Sequence, residues 1–133
     1  MHLCRKACVK AKAQQLLHAG MKENAIDEPK FIVVIGTSAG GIRALEELVL
    51  QLEPEMDAAF FVVLHLSRKG IGKYLFQRLQ EATKLTCKLA EDGEAIRRGV
   101  VYIAPPDEHL LLTRGHVIIG KGAPENRWRP SIN

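Results

Sequence analysis

Runs of apolar residues alternate with amphipathic stretches along most of this chain, and the alternation predicts the order of its elements. Residues 31–35 (FIVVI) form a continuous apolar run rich in β-branched residues, which is typical of a strand buried on both faces. Residues 58–64 (AAFFVVL) predict a second buried strand. Between them, apolar residues recur at helical spacing and predict a helix over residues 42–52. Its apolar face consists of Ile42, Leu45, Leu48, Val49 and Leu52.

The second half of the chain continues the alternation with shorter elements. A helix is predicted near residues 72–82, with an inward face of Tyr74, Leu75, Leu79 and Ala82. Short strands are predicted at 85–89 and 100–104, and a β-hairpin at 109–113 and 116–119. Because strands that alternate with helices form βαβ units, we expect an α/β fold. Its core is a doubly wound, mainly parallel, Rossmann-like three-layer sheet with a β-hairpin near residues 109–119.

The first 29 residues differ in composition from the rest of the chain. We interpret residues 1–29 as a basic helical extension and linker ahead of a domain at 30–133. Residues 7–18 are rich in good helix formers, and Gly20 is placed to stop a helix. The metal-ligating residue types there fit no strong zinc spacing, so we expect no metal site. They are His2, Cys4, Cys8 and His18.

Composition and charge exclude several classes of function. The chain is 47% hydrophobic and 26% charged, with a formal charge of +4, which suits an ordinary globular domain. Only 5% of its residues are aromatic, and this weakens a nucleic-acid interpretation. No apolar run is long enough to span a bilayer, so membrane insertion is not expected. Three cysteines without a pairing pattern indicate a reducing, cytoplasmic location.

The clearest candidate chemistry is the segment at residues 36–40, Gly-Thr-Ser-Ala-Gly. It matches G-x-S-x-G, a turn that lifts a serine hydroxyl above the end of a strand, and Ser38 is the candidate nucleophile. The free N–H groups of the following helix point at the same place and can stabilise an oxyanion. The candidate oxyanion and turn residues are Gly36, Ala39, Gly40 and Gly41. A glycine turn needed only for packing is the alternative.

His65 closes the second apolar strand and is the candidate base for Ser38. Adjacent parallel strands end at the same edge of a sheet, so the two residues are expected to lie side by side. A serine hydroxyl needs such a base, because it is a poor nucleophile at neutral pH. Asp92 and Asp107 are the visible acids that could orient the histidine. Both lie in segments typical of turns, so we choose neither.

The sequence around these residues, and several segments that follow it, resemble the catalytic domain of the chemotaxis protein-glutamate methylesterases. The matching segments are VIGTSAGGIRALEELV, FVVLHLS, LAEDGEAIRRGVVYIAPPDEHLLL and GAPENRWRPSI, in the family's order over residues 31–132. The resemblance implies a serine hydrolase that demethylates γ-glutamyl methyl esters, and deamidates glutamines, on chemoreceptor cytoplasmic helices. It assigns the nucleophile to Ser38 and the base to His65, with neither metal nor organic cofactor.

The resemblance also implies what this chain lacks. The family's catalytic aspartate follows the NRxRPS motif in a glycine-rich segment, and this position falls beyond Asn133. We therefore expect a catalytic domain that is incomplete at its C-terminus, with an open sheet edge, an uncovered apolar face and impaired activity. A chemotaxis methyltransferase and a receiver-type regulator are further implied partners. The alternatives are a patatin-like lipid acyl hydrolase, which shares the GTSAGG segment, and a non-catalytic receptor-binding remnant.

Overall fold

The alternating strands and helices of the sequence fold into a parallel sheet in the computed structural model, which describes residues 27–65 and 71–121. The first elements are β1 (Phe31–Ser38), a 3-10 turn (Ala39–Gly41), helix α1 (Ile42–Val49) and β2 (Ala58–His65). The next are α2 (Ile71–Ala82), β3 (Thr86–Leu89), β4 (Val100–Ile103), β5 (His109–Thr113) and β6 (His116–Gly120). Residues 1–26 of the predicted N-terminal extension, with its histidines and cysteines, and the GAPENRWRPSI segment lie outside the described residues.

The order of the strands brings the carboxyl ends of all four strands to one edge of the sheet. The four-stranded sheet has the order β1-β2-β4-β3, and its three pairings are parallel. Along β1 and β2 the register runs from Phe31 opposite Ala58 to Ser38 opposite His65. Strands β5 and β6 form a separate antiparallel pair, as predicted. The predicted α/β fold with a mainly parallel sheet is therefore confirmed.

The two faces of the sheet are covered by different elements. Alternate residues of β2 point to opposite faces, so Phe60 and Val62 belong to one hydrophobic cluster, and Phe61 belongs to another. The first cluster contains buried residues of both described helices: Leu45, Val49, Leu75 and Leu79. The second contains Tyr102 and residues from the hairpin side: Ala90, Ile96 and Val117.

None of the helices that the structure describes has the length and apolar character needed to span a membrane.

Strand β1 is less buried than its sequence suggests. The prediction that residues 31–35 are buried on both faces is wrong. The exposed fractions are 59% for Phe31, 44% for Ile32, 38% for Val33 and 53% for Val34. Val62 in β2, by contrast, is 0% exposed. Strand β2 lies between two strands, whereas β1 is an edge strand of the described sheet. Within the described residues, β1 therefore presents exposed apolar side chains at an edge of the sheet.

Two helix positions also differ from the prediction. Tyr74, predicted to face inward, is 57% exposed. Its hydroxyl accepts a hydrogen bond of 3.3 Å from Arg78, whose guanidinium lies 5.5 Å from the ring centroid. Arg78 also donates to Glu46 at 2.8 Å and so links the two helices. Leu48, predicted to lie on the apolar face, is 41% exposed. The helix ends at Val49, earlier than the predicted residue 52.

Tyr102 supplies a first test of the packing. Its side chain is 1% exposed, and its hydroxyl accepts from the Arg97 N–H at 2.8 Å and donates to the Ala95 carbonyl at 3.2 Å. Desolvation by burial raises the pKa of Tyr102. We expect Tyr102→Phe to lower the free energy of unfolding by roughly 1–3 kcal/mol, because two backbone groups lose their partner. Urea denaturation measures this loss.

Tyr74→Phe is the matched control for this prediction. The same hydroxyl is removed from an exposed ring, so a change within about 0.5 kcal/mol is expected. Equal losses from the two variants would contradict the role assigned to the buried hydroxyl.

Candidate active site

Ser38 is the last residue of β1 and lies at the carboxyl edge of the sheet. Its backbone is extended, with φ −94° and ψ 174°, and the 3-10 turn begins at the next residue. The serine of a nucleophile elbow ordinarily sits on a sharp, strained turn. Ser38 instead has an unstrained conformation, and the 3-10 turn makes the change of direction.

The hydroxyl of Ser38 takes no part in stabilising that turn. Ser38 occupies the N-cap position, where a serine commonly accepts a hydrogen bond from a helix N–H. It makes no capping hydrogen bond, and its residue is exposed. The neighbouring Thr37 hydroxyl instead donates to the Ser38 carbonyl at 3.2 Å. The turn therefore leaves the Ser38 hydroxyl at the surface, as a nucleophile requires.

His65 ends β2 as Ser38 ends β1, and the two residues are Cα partners in the parallel pairing. Neighbouring strands lie about 4.8 Å apart, so the two Cα atoms are separated by one strand spacing. The side-by-side arrangement expected from the sequence is therefore present in the backbone.

The glycines of the turn have different structural roles. Gly36 lies within β1 opposite Val63, so the predicted turn starts later than residue 36. A Cβ atom at Gly41 would collide with the Thr37 hydroxyl and lie 3.3 Å from the Thr37 Cβ. At Gly40 a Cβ atom would lie 3.9 Å from the Ser38 hydroxyl oxygen, which is an ordinary contact. Close approach of the turn to β1 thus requires glycine at position 41.

This difference gives a prediction with an internal control. We expect Gly41→Ala to lower the thermal unfolding temperature, with a loss of roughly 1–3 kcal/mol, because Thr37 or the turn must shift. Gly40→Ala adds the same methyl group where there is space and is expected to change stability by less than about 1 kcal/mol. Calorimetry measures both variants. A larger loss at Gly40 than at Gly41 would refute this account of the turn.

The amides that follow Ser38 are the candidate oxyanion donors. Residues Ala39–Gly41 form the 3-10 turn, and α1 continues directly from Ile42. The first N–H groups of a helix have no partner within the helix. Their position after Ser38 agrees with the predicted oxyanion site, and that role stays a prediction.

The structure separates the two candidate acids. Asp92 follows β3, the strand farthest from β1, and its carboxylate accepts the Ile119 N–H at 2.9 Å. It therefore anchors the hairpin. Asp107 follows β4, which lies beside β2, and its φ of 64° is left-handed. Among the described residues, Asp107 is the non-glycine residue with positive φ. The sequence signal for this turn was Pro-Pro-Asp, since Asp tolerates that conformation better than most residues.

Three features of the site define a class of protein. A serine ends one parallel strand, a glycine turn leads from it into a helix, and a histidine ends the adjacent strand. They mark an α/β domain with the arrangement of a serine hydrolase. In the described part of the chain, no group of three or more histidine, cysteine or acidic residues is placed to hold a metal ion. The chain belongs to the CheB methylesterase family, whose sequence profile matches residues 33–133.

Relatives agree with this assignment. The chain is 33% identical to protein-glutamate methylesterase/protein-glutamine glutaminase 1 of Cupriavidus metallidurans, over 96% of this chain and 38% of that protein. It is 42% identical to the Thermotoga maritima protein-glutamate methylesterase/protein-glutamine glutaminase, over 77% of this chain and 30% of that protein. The chain therefore spans less than two fifths of the length of these relatives.

A solved structure shows the same fold. The crystal structure of the Thermotoga maritima CheB methylesterase catalytic domain matches with a TM-score of 0.66 at 42% identity. The match covers 74% of this chain and 54% of that domain. This chain therefore corresponds to about half of a catalytic domain of known structure.

Proposed function

We propose that this chain supplies the nucleophile and the base of a protein-glutamate methylesterase that acts on chemoreceptor cytoplasmic helices. The observation that carries the proposal is the register that sets Ser38 opposite His65 at the ends of β1 and β2. The names of the relatives support γ-glutamyl methyl esters as the substrate class, and glutamine side chains as a second class. A cytoplasmic location follows from such a substrate.

The proposed reaction is acyl transfer in two stages. His65 accepts the hydroxyl proton while the Ser38 oxygen attacks the ester carbonyl carbon. The bond to the methoxy group then breaks, the proton passes from His65 to the leaving oxygen, and methanol departs from an acyl-Ser38. In the second stage His65 takes a proton from water, which attacks the acyl group. The glutamate carboxylate leaves, and the Ser38 hydroxyl regains its proton. With a glutamine substrate, ammonia leaves in place of methanol.

The turn after Ser38 has a matching role in this proposal. The carbonyl oxygen becomes negatively charged in the tetrahedral intermediate and needs hydrogen-bond donors. The backbone N–H groups of Ala39–Gly41 and the start of α1 lie next to Ser38 in the chain. Fixed donors of this kind need no reorganisation when charge develops, and removing one ordinarily lowers turnover by about 10²–10³-fold.

The test measures methanol released from methylated cytoplasmic fragments of a chemoreceptor. Two proteins are compared: this 133-residue chain, and a chimera that joins it to the part of the Thermotoga maritima catalytic domain that it does not span. The expected result is methanol release by the chimera above the uncatalysed rate. Failure of a folded chimera to release methanol would overturn the proposal.

The same assay separates the alternatives. The family match favours a methylesterase over a patatin-like lipid acyl hydrolase. Hydrolysis of a long-chain acyl ester but not of the receptor methyl ester would reverse this preference. Co-sedimentation with receptor fragments without methanol release would identify a receptor-binding protein. The methyltransferase and the receiver-type regulator implied by the resemblance stay predictions.

A further inference from the structure

Strand β3 has a neighbour on one side only in the described sheet, whose order is β1-β2-β4-β3. The open side of an edge strand presents backbone N–H and C=O groups with which another chain can pair. The N–H of Ala90, the residue after β3, donates to the Ile103 carbonyl of β4 at 2.9 Å. Alternate residues of a strand direct their backbone groups to opposite sides. Leu85 and Cys87 therefore face away from β4, toward the open side.

The side chain of Gln80, in the last turn of α2, occupies two of these outward groups. Its carboxamide nitrogen donates to the Leu85 carbonyl at 2.9 Å, and its carboxamide oxygen accepts the Cys87 N–H at 2.8 Å. One residue of a further parallel strand would present this same donor and acceptor to Leu85 and Cys87. The Gln80 carboxamide therefore takes the place of a neighbouring strand at the open edge.

Two other side chains occupy backbone groups at the ends of this row. Just before β3, the Thr83 hydroxyl accepts the Leu85 N–H at 3.2 Å. Two residues past the end of β3, the Glu94 carboxylate accepts the Glu91 N–H at 2.6 Å. Side chains of the chain itself thus satisfy backbone groups before, within and beyond β3.

Gln77 provides a contrast on the same helix, one turn before Gln80. Both are exposed residues. Within residues 27–65 and 71–121 the structure gives the Gln77 side chain no hydrogen bond, whereas the Gln80 side chain makes two. Fixing a glutamine side chain costs conformational entropy, which the hydrogen bonds of Gln80 offset. Gln80 is therefore held at the edge of β3, and Gln77 offers a matched control.

We propose that Gln80 closes the edge of β3 against pairing with a second copy of this chain. Two identical edges pair antiparallel about a two-fold axis, and hydrogen-bonded partners in such a pair exchange both their N–H and their C=O groups. Pairing through the centre of the row needs the N–H of Cys87, which Gln80 already binds. The inference concerns self-association and does not depend on the roles proposed for Ser38 and His65.

The experiment measures self-association of the 133-residue chain by sedimentation velocity over a range of concentrations. Gln80→Leu keeps a side chain of similar size but removes its donor and its acceptor. Its association constant is expected to exceed that of the parent by about 10-fold or more, because two backbone groups become free to pair. Gln77→Leu makes the same change one turn away and is expected to leave the constant unchanged. Any association through the exposed side chains of β1 is common to all these proteins and cancels in the comparison.

Hydrogen exchange of single amides locates the association. In the Gln80→Leu monomer, the Cys87 N–H is expected to lose its protection. The Ala104 N–H, which donates to the Val62 carbonyl inside the sheet, is expected to keep its protection and so to show that the fold is intact. At concentrations where the variant associates, protection at Cys87 is expected to return.

Gln80→Ala also opens the edge but adds no larger apolar side chain, so the same rise in association is expected. Unchanged association in both Gln80 variants, or an equal rise in Gln77→Leu, would overturn the inference. Association without renewed protection at Cys87 would overturn it too. Loss of protection at Ala104 in both Gln80 variants would show that Gln80 supports the fold instead of closing the edge.

Discussion

Replacing Ser38 with alanine is expected to lower methanol release by the chimera by about 10³-fold or more. The substitution removes the only atom that can form the acyl-enzyme in the proposed reaction, and loss of a serine nucleophile is among the largest single effects known in enzyme kinetics. The residue is exposed, its backbone is unstrained and its hydroxyl caps nothing. The fold should therefore survive the change. The measurement is the initial rate of methanol release at saturating receptor.

Thr37→Val is the matched control for Ser38→Ala. It removes a hydroxyl from the adjacent residue while keeping a branched side chain against Gly41. The Thr37 hydroxyl donates only to the Ser38 carbonyl in the described contacts, so a reduction below about 10-fold is expected. If Ser38→Ala released methanol as fast as the parent, the proposed nucleophile would be wrong.

Phe61→Ala is expected to lower the free energy of unfolding by about 3–5 kcal/mol. The Phe61 ring is 0% exposed and stacks on the Tyr102 ring with centroids 4.8 Å apart. Its removal leaves a cavity between the sheet and the hairpin, and a domain of this size is stable by only about 5–15 kcal/mol. Urea denaturation at equilibrium measures the loss, and its slope reports whether unfolding stays two-state.

Phe31→Ala provides the comparison that makes this result specific. The same side chain is removed from the edge strand, where Phe31 is 59% exposed, and a loss below about 1 kcal/mol is expected. Equal losses at the two positions would show that β1 is buried in solution, which would contradict the edge position described above.

These two phenylalanines show what the sequence can and cannot predict about the fold. Residues 31–35 and 58–64 have the same apolar pattern, and both form strands as predicted. Only β2 is buried, because burial depends on which strands and helices lie on either side. A local pattern of side chains does not contain that information. The predicted helix face failed at Tyr74 for a similar reason, since its partner Arg78 links it to another helix.

The candidate site likewise contains one part that the sequence predicts and one part that it does not. Ser38 and His65 follow consecutive strands, and consecutive strands joined through a helix usually pair, so their proximity could be predicted. The position of Asp107 in the sheet could not be predicted in this way. Strand β4 follows β3 in the chain but lies beside β2, and that crossover brings the start of the Pro-Pro-Asp segment to the same edge of the sheet as the end of β2. Strand order is set by packing across the whole sheet and leaves little trace in the nearby residues.

The edge position of β1 has a dynamic consequence for the chemistry. Local opening of a protein begins where few buried contacts oppose it, and it precedes global unfolding. Ser38 belongs to the strand with the exposed apolar side chains, whereas His65 belongs to the most deeply buried strand. In the proposed catalytic pair, Ser38 therefore ends the strand that we expect to open more easily, and His65 ends the strand with the more deeply buried side chains. We expect that a partner covering the exposed side chains of β1 opposes this opening and so lengthens the time for which the proposed nucleophile and base stay side by side.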